Sequence, residues 1–243
     1  MTYCVGMMLE KGLVFMSDTR TNAGLDNIST FQKMKIWEQP GQGVITLMSA
    51  GNLATTQAVV SILDERTKAH DERDPSILAV PSMFQAARLI AKTLKDVIAN
   101  HAQVGQRADS AFNATLILGG QIAGGPPRLF LIYPEGNFIE AGADTPFFQI
   151  GEMMYGRPIL VRAYEPGLSF EEAMRLLLVS FDSTIKANLT VGLPLDFHFY
   201  ETDSLEQGKT GRISADDPYF LAISQGWGEA LKSALDQQPT FEF

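Results

Sequence analysis

Hydrophobic and polar positions change period several times along the chain, and each change marks an element. Two mainly apolar runs, from Thr2 to Leu9 and from Leu13 to Asp18, flank Glu10-Lys11-Gly12. Apolar runs about a short turn ending in Gly predict a β-hairpin. Further strands are predicted near Gln32 to Glu38 and from Gly43 to Ser49. A helical period follows: Asn52 is placed to cap a helix from Leu53 to about Thr67. After Asp74-Pro75 a second helix is expected over Ser82 to His101, with Met83, Ala87, Ile90, Leu94, Val97 and Ile98 on one stripe. Strands return at Thr115 to Leu118, Arg128 to Tyr133 and Asn137 to Ala141, the last two about a Pro134-Glu135-Gly136 turn, and again at Phe147 to Ile150. Ser169-Phe170-Glu171-Glu172 reads as a capping box for a helix to about Ala187. Leu195 to Glu201 alternates like a strand, and Asp217-Pro218 starts a last helix to about Leu235.

Hairpin strands, a helix pair, more strands, a helix, a strand and a last helix bury all their stripes if two sheets pack face to face with helices outside each. The expected fold is α+β, a four-layer αββα sandwich. With 243 residues and no visible linker, residues 1–243 are read as a single domain, with about 202–243 a C-terminal extension packed on it.

Charge and composition then narrow the partners. The formal net charge is −9, a balance that repels phosphate backbones and argues against nucleic acid. The single cysteine, Cys4, excludes an internal disulfide and is expected in the core. No apolar run approaches the ~20 residues of a membrane span, and the N-terminus lacks the basic-then-apolar pattern of a secretory signal, so a cytoplasmic location is expected. His70, His101 and His198 stand in no metal-ligand spacing, and Gly119-Gly120 and Gly124-Gly125-Pro126-Pro127 lack the Lys of a phosphate loop. Neither a metal nor another cofactor is expected.

Candidate chemistry gathers at the open end of the first hairpin. If Leu9 pairs with Leu13, Thr2 stands opposite Arg20, and Asp18 lies one diagonal step away on the same face. A one-residue slip would break this arrangement. Thr is a weak nucleophile until a base takes its proton. Removal of Met1, which the small Thr2 permits, would expose an α-amine beside the Thr2 hydroxyl. Such an amine titrates near ~7.7–8.0 and can act as a base at neutral pH. A nearby cation keeps it neutral. Lys33 is the favoured source, with Lys35 on the same predicted strand face as the alternative. Asp18 is expected to hold the lysine and Arg20.

Thr2, then Ser17-Asp18-Thr19-Arg20, then Lys33, resembles the active-site spacing of proteasome β-subunits and of the bacterial proteasome-like protease HslV. Met16-Ser17-Asp18-Thr19-Arg20-Thr21-Asn22-Ala23-Gly24, and the long part beyond Glu201, resemble the bacterial Anbu branch, the ancestral β-subunit. The resemblance implies a threonine-type endopeptidase in a homo-oligomer, ring or open spiral, acting on peptide or unfolded protein. It names no unfoldase partner. It implies that the Gly51 N–H, in Ser49-Ala50-Gly51-Asn52, forms the oxyanion hole. Thr21, Ser49 and Leu53 would line the pocket for the side chain before the scissile bond, and backbone at Asn22 would pair with an extended substrate. Two positions depart from the family pattern. Gly151-Glu152-Met153 stands where a serine is usual, and Asn188 where an aspartate is usual. Glu152, Asn188 and Lys35 are therefore candidates for an outer shell around the nucleophile. Another amidohydrolase with an N-terminal nucleophile, acting on small amides, and a weakly active scaffold subunit remain open alternatives.

Overall fold

The structure, a computed structural model, describes residues 2–22, 28–68, 76–102 and 112–242. Readings that fall on Met1, Ala23, Gly24, His70 and Asp74-Pro75 lie outside the described residues. The strands are β1 (Tyr3–Leu9), β2 (Gly12–Asp18), β3 (Arg20–Asn22), β4 (Ile28–Thr30), β5 (Met34–Gln39), β6 (Gly43–Gly51), β7 (Ala114–Ile122), β8 (Arg128–Ile132), β9 (Phe138–Glu140), β10 (Phe147–Gly151), β11 (Leu195–Glu201) and β12 (Lys209–Ile213). The helices are α1 (Leu53–Thr67), α2 (Met83–Ala102), α3 (Arg157–Ala163), α4 (Phe170–Ala187) and α5 (Pro218–Asp236). One antiparallel sheet has the order β10-β1-β2-β11-β12, the other β5-β6-β7-β8-β9, and β3-β4 is a small separate ribbon.

Strand alternation builds three apolar layers. Leu13 and Phe15 of β2 point between the sheets with Cys4, Met48, Ile117 and Tyr200. Val14 and Met16 point the other way, onto α3 and α4, with Tyr3, Leu177 and Phe181. Ile45, Leu47, Leu116 and Leu118 cover the outer face of the second sheet under α1 and α2. Every residue of the stripe predicted for α2 is buried in that layer. The expected αββα sandwich is the observed architecture. The Ser169 capping box is formed in both directions, and Asn52 and Asp217 cap α1 and α5 through their side chains.

Four elements escaped the hydrophobic pattern. Helix α3 is only seven residues long. The β3-β4 ribbon has three residues per strand, and β12 is almost wholly polar on a sheet edge. Such elements are too short or too exposed to carry a period.

The register of the first hairpin differs from expectation. Leu9 pairs with Gly12 and Cys4 with Ser17, so Asp18 falls opposite Tyr3 and Thr2 opposite Thr19, not Arg20. The turn is the pair Glu10-Lys11, and Gly12 already belongs to the strand. Gly12 is required for another reason: at φ 151° a Cβ there would sit 1.9 Å from the Tyr200 carbonyl oxygen of β11. The glycine that read as a turn residue serves the close approach of the neighbouring strand.

Candidate active site

Thr2 lies just ahead of β1 and is 9% exposed. Its carbonyl accepts the Glu152 N–H at 2.7 Å, so the end of β10 holds one side of it. On the other side the Tyr3 N–H donates to Asp18 Oδ1 at 2.9 Å. The slipped register thus brings the Asp18 carboxylate to the backbone beside Thr2 rather than to its side chain.

Asp18 is fully buried, and Lys33 Nζ donates to its Oδ1 at 2.6 Å and to the Arg20 carbonyl at 2.7 Å. The Gly192 N–H faces Asp18 Oδ2 at 3.4 Å. Burial pushes the Asp18 carboxyl upward, opposed by the Lys33 ammonium and by the N–H groups of Tyr3 and Gly192. Lys33 itself is anchored from behind, where its carbonyl accepts the Ser49 N–H at 3.1 Å.

The two lysines do not share a strand face. β5 begins at Met34, so alternation does not extend back to Lys33, which turns into the buried end of the sandwich. Lys35 turns out to α1, where its Nζ donates to Asp64 Oδ2 at 2.7 Å. Arg20 also departs from expectation. Its guanidinium donates to the Leu189 carbonyl at 2.8 Å and is not held by Asp18; it is the Arg20 backbone that joins the cluster, through Lys33.

Gly51 ends β6 at φ 121°, where a Cβ would lie 2.3 Å from the Asn113 carbonyl oxygen. Asn52 then donates its N–H to that same oxygen at 2.9 Å and caps α1 through Thr55 N–H at 3.1 Å. The strand-to-helix turn therefore depends on glycine. Ser49 and Leu53 flank it, both half-buried. Thr21 sits in β3 with its Oγ1 buried and without a hydrogen-bond partner among the described residues. Asn22 pairs with Ile28 in the β3-β4 ribbon.

Glu152 and Asn188 are brought together: Asn188 Nδ2 donates to Glu152 Oε2 at 2.7 Å. Asn188 is the C-cap of α4, and the chain after it wraps the site. Leu189 meets Arg20, Gly192 meets Asp18, and the Pro194 carbonyl accepts Thr19 Oγ1 at 2.7 Å. This wrap went unread in the sequence, because its contacts are made by backbone groups that any residue carries. Tyr3 was also missed. Its hydroxyl lies 2.7 Å from Ser180 Oγ of α4 and accepts Gln149 Nε2 of β10 at 2.6 Å, and burial pushes its pKa up to about 12. A polar-tipped residue at an inward strand position was the available signal.

The site thus pairs an N-proximal hydroxyl with a buried ion pair beside a glycine turn. The family model described as Proteasome subunit matches residues 2–192. The chain belongs to the proteasome subunit family. It is 48% identical to Anbu (ancestral beta-subunit) from Yersinia bercovieri, with a TM-score of 0.92 and 100% of both chains covered. It is 45% identical to the chain in the helical assembly of the Anbu complex from Pseudomonas aeruginosa, with a TM-score of 0.91, 99% of this chain and 98% of that one covered. A curated proteasome subunit beta from Haloferax volcanii is 24% identical over 206 residues, 84% of this chain and 75% of the relative. The proteasome-type match stops at Gly192, and β12 and α5 lie beyond it. No described helix is long and apolar enough to cross a membrane, and among the described residues no group of His, Cys, Asp or Glu is placed to hold a metal ion.

Proposed function

We propose that the protein is a threonine peptidase that cuts peptide bonds with Thr2 after Met1 is removed, within an assembly of identical subunits. The observation that carries this reading is the buried Asp18–Lys33 pair, bonded to the Tyr3 N–H next to Thr2. A lysine held there favours a neutral α-amine on Thr2 and lowers the cost of an alkoxide at its Oγ.

The cycle follows from those groups. Thr2 Oγ attacks the scissile carbonyl carbon while its own α-amine takes the proton. The Gly51 N–H receives the oxyanion, a donor worth about 3–4 kcal/mol in comparable sites. The protonated amine then gives its proton to the leaving nitrogen as the C–N bond breaks, and water hydrolyses the ester left on Thr2. Arg20 helps position Lys33 through its carbonyl. Thr21, Ser49 and Leu53 line the pocket for the preceding side chain. The edge of β3 at Asn22 pairs with an extended peptide.

Self-association is supported by large apolar side chains left in water: Leu189 is 84% exposed, Met154 75% and Leu235 70%. The helical assembly of the Anbu relative supports it as well. The test is a purified, assembled Thr2→Ala variant assayed on fluorogenic peptides and on small amides, beside the parent. Peptide turnover lost in the variant is the expected result. Turnover at the parental rate would overturn the reading, and turnover of small amides alone would replace it with the amidohydrolase alternative. Intact mass should show the active parent beginning at Thr2.

A further inference from the structure

Four acidic side chains are buried among the described residues: Asp18, Glu152, Asp182 and Asp196. Three have a cation. Lys33 lies 2.6 Å from Asp18, Lys186 3.2 Å from Asp182 and Arg212 2.6 Å from Asp196. Glu152, 8% exposed, has none among the described residues. Its Oε2 accepts Asn188 Nδ2 at 2.7 Å and its Oε1 accepts the Met154 N–H at 3.2 Å, and both donors are neutral. A carboxylate in that setting is costly unless a counter-charge completes it.

The residue that faces Glu152 is Thr2, just ahead of β1. Tyr3 pairs with Gly151, so residue 152 stands opposite Thr2, and the Glu152 N–H is bonded to the Thr2 carbonyl. Opposed residues have Cβ atoms about 4.5–5.5 Å apart, within reach of a glutamate side chain. Removal of Met1 moves the chain's terminal ammonium onto Thr2.

We propose that the Glu152 carboxylate, clamped by Asn188 and the Met154 N–H, is the seat of the Thr2 α-ammonium. The proposal rests on Thr2 being the nucleophile with its own amine as base, and it adds a partner that opposes Lys33. In the attack the Thr2 hydroxyl proton passes to the neutral amine, the Oγ–C bond forms and the carbonyl π pair moves to oxygen. The ion pair with Glu152 forms at that moment and makes the amine a stronger base. It relaxes when the amine returns the proton to the leaving nitrogen. Asn188 acts through Glu152 and is a positioning residue. The other titratable or charged groups facing this end are Tyr3, Cys4, Asp18, Arg20, Lys33 and Arg157, and they are common to parent and variants.

The test is the titration of the Thr2 α-amine in the processed, assembled protein. Cyanate reacts with the neutral amine only, so its rate against pH, read by peptide mass mapping, gives the midpoint. Glu152→Gln should lower that midpoint by about one pH unit. Glu152→Asp should restore most of it, and Asn188→Ala should lower it by less than Glu152→Gln. The acid limb of kcat/KM on a fluorogenic peptide should move to lower pH with it, whereas a merely structural role would lower the plateau and leave the limb in place. If Glu152→Gln does not assemble, Asn188→Ala still supplies the shift. A midpoint unmoved in Glu152→Gln and in Asn188→Ala, or Met1 retained in the parent, overturns the proposal. A shifted midpoint in a protein that cleaves no peptide keeps the seat and removes the peptidase reading. Peptide cleavage lost in Thr2→Ala together with an unmoved midpoint does the reverse.

Discussion

Lys33 and Asp18 have to be considered together, because each is buried and each is the other's counter-charge. Removing one partner of such a pair strands the other and costs about 3–5 kcal/mol. Activity and stability therefore separate in variants. Lys33→Ala and Asp18→Ala should each lower peptide turnover by orders of magnitude, and the double variant should cost little more activity than either alone, because the two act as one unit. In urea unfolding the double variant Asp18→Asn with Lys33→Met should be more stable than Lys33→Met alone, since no charge is left uncompensated. If it is less stable, the pair is not the isolated buried unit that its geometry describes. Lys35→Ala removes a half-exposed pair with Asp64, worth about 0–1 kcal/mol, and should leave turnover near the parental rate.

Strands reach the site only because other elements hold them, and two hydrogen-bonded ties can be tested. The first joins β1 to α4 and β10 through the Tyr3 hydroxyl. Tyr3→Phe leaves Ser180 Oγ and Gln149 Nε2 short of a partner and should cost about 1–3 kcal/mol in chemical denaturation. Turnover should fall as well, because Phe keeps the backbone N–H that binds Asp18 but loses the hydroxyl bonds that anchor that residue. The second tie joins the two sheets. His198 of β11 meets Thr46 Oγ1 of β6 through Nδ1 at 2.8 Å and the Gln207 carbonyl through Nε2. A carbonyl only accepts, so Nε2 carries the proton and Nδ1 accepts from Thr46 in the neutral ring. Burial lowers its pKa from 6.5 to about 4. The unfolded chain then binds a proton over a range where the folded chain refuses it. Stability is complete above pH 6.5 and is lost as pH falls toward 4, by up to about 3 kcal/mol from this residue. Denaturation at pH 7 and at pH 4.5 should show that loss, and a folded His198→Gln variant should show less of it. An equal loss in both would place the effect elsewhere.

At the scale of the whole molecule, the exposed apolar side chains bear on assembly. The Leu189 carbonyl accepts from Arg20 and the Met154 N–H donates to Glu152, so association through these two side chains would close over the end that carries the candidate chemistry. Sedimentation at micromolar concentration should report a species well above a dimer, and Met154→Glu should shift it toward smaller species while leaving secondary structure intact. A stable monomer in the parent would contradict assembly. The C-terminal part, β12 with α5, extends the first sheet beyond β11 and packs α5 on α4, with Phe220 buried among the residues of the outer layer.

Periodicity alone set the order of layers, because a stripe of Met83, Ala87, Ile90 and Leu94 must be buried somewhere and a sheet offers the matching face. The caps at Asn52 and Ser169 were legible too, because their side chains act on their own helix within a few residues. The candidate residues Thr2, Asp18, Lys33 and Gly51 were read together because they sit in the order of a known family. What tied them together was not legible. Register depended on Gly12 meeting the Tyr200 carbonyl, a contact between residues far apart in the chain. The choice between Lys33 and Lys35 depended on where β5 begins, and the wrap from Asn188 to Pro194 acts through backbone groups. Local order follows from neighbours along the chain. Which groups share a buried pocket follows from packing across it, and only the tertiary structure decides that.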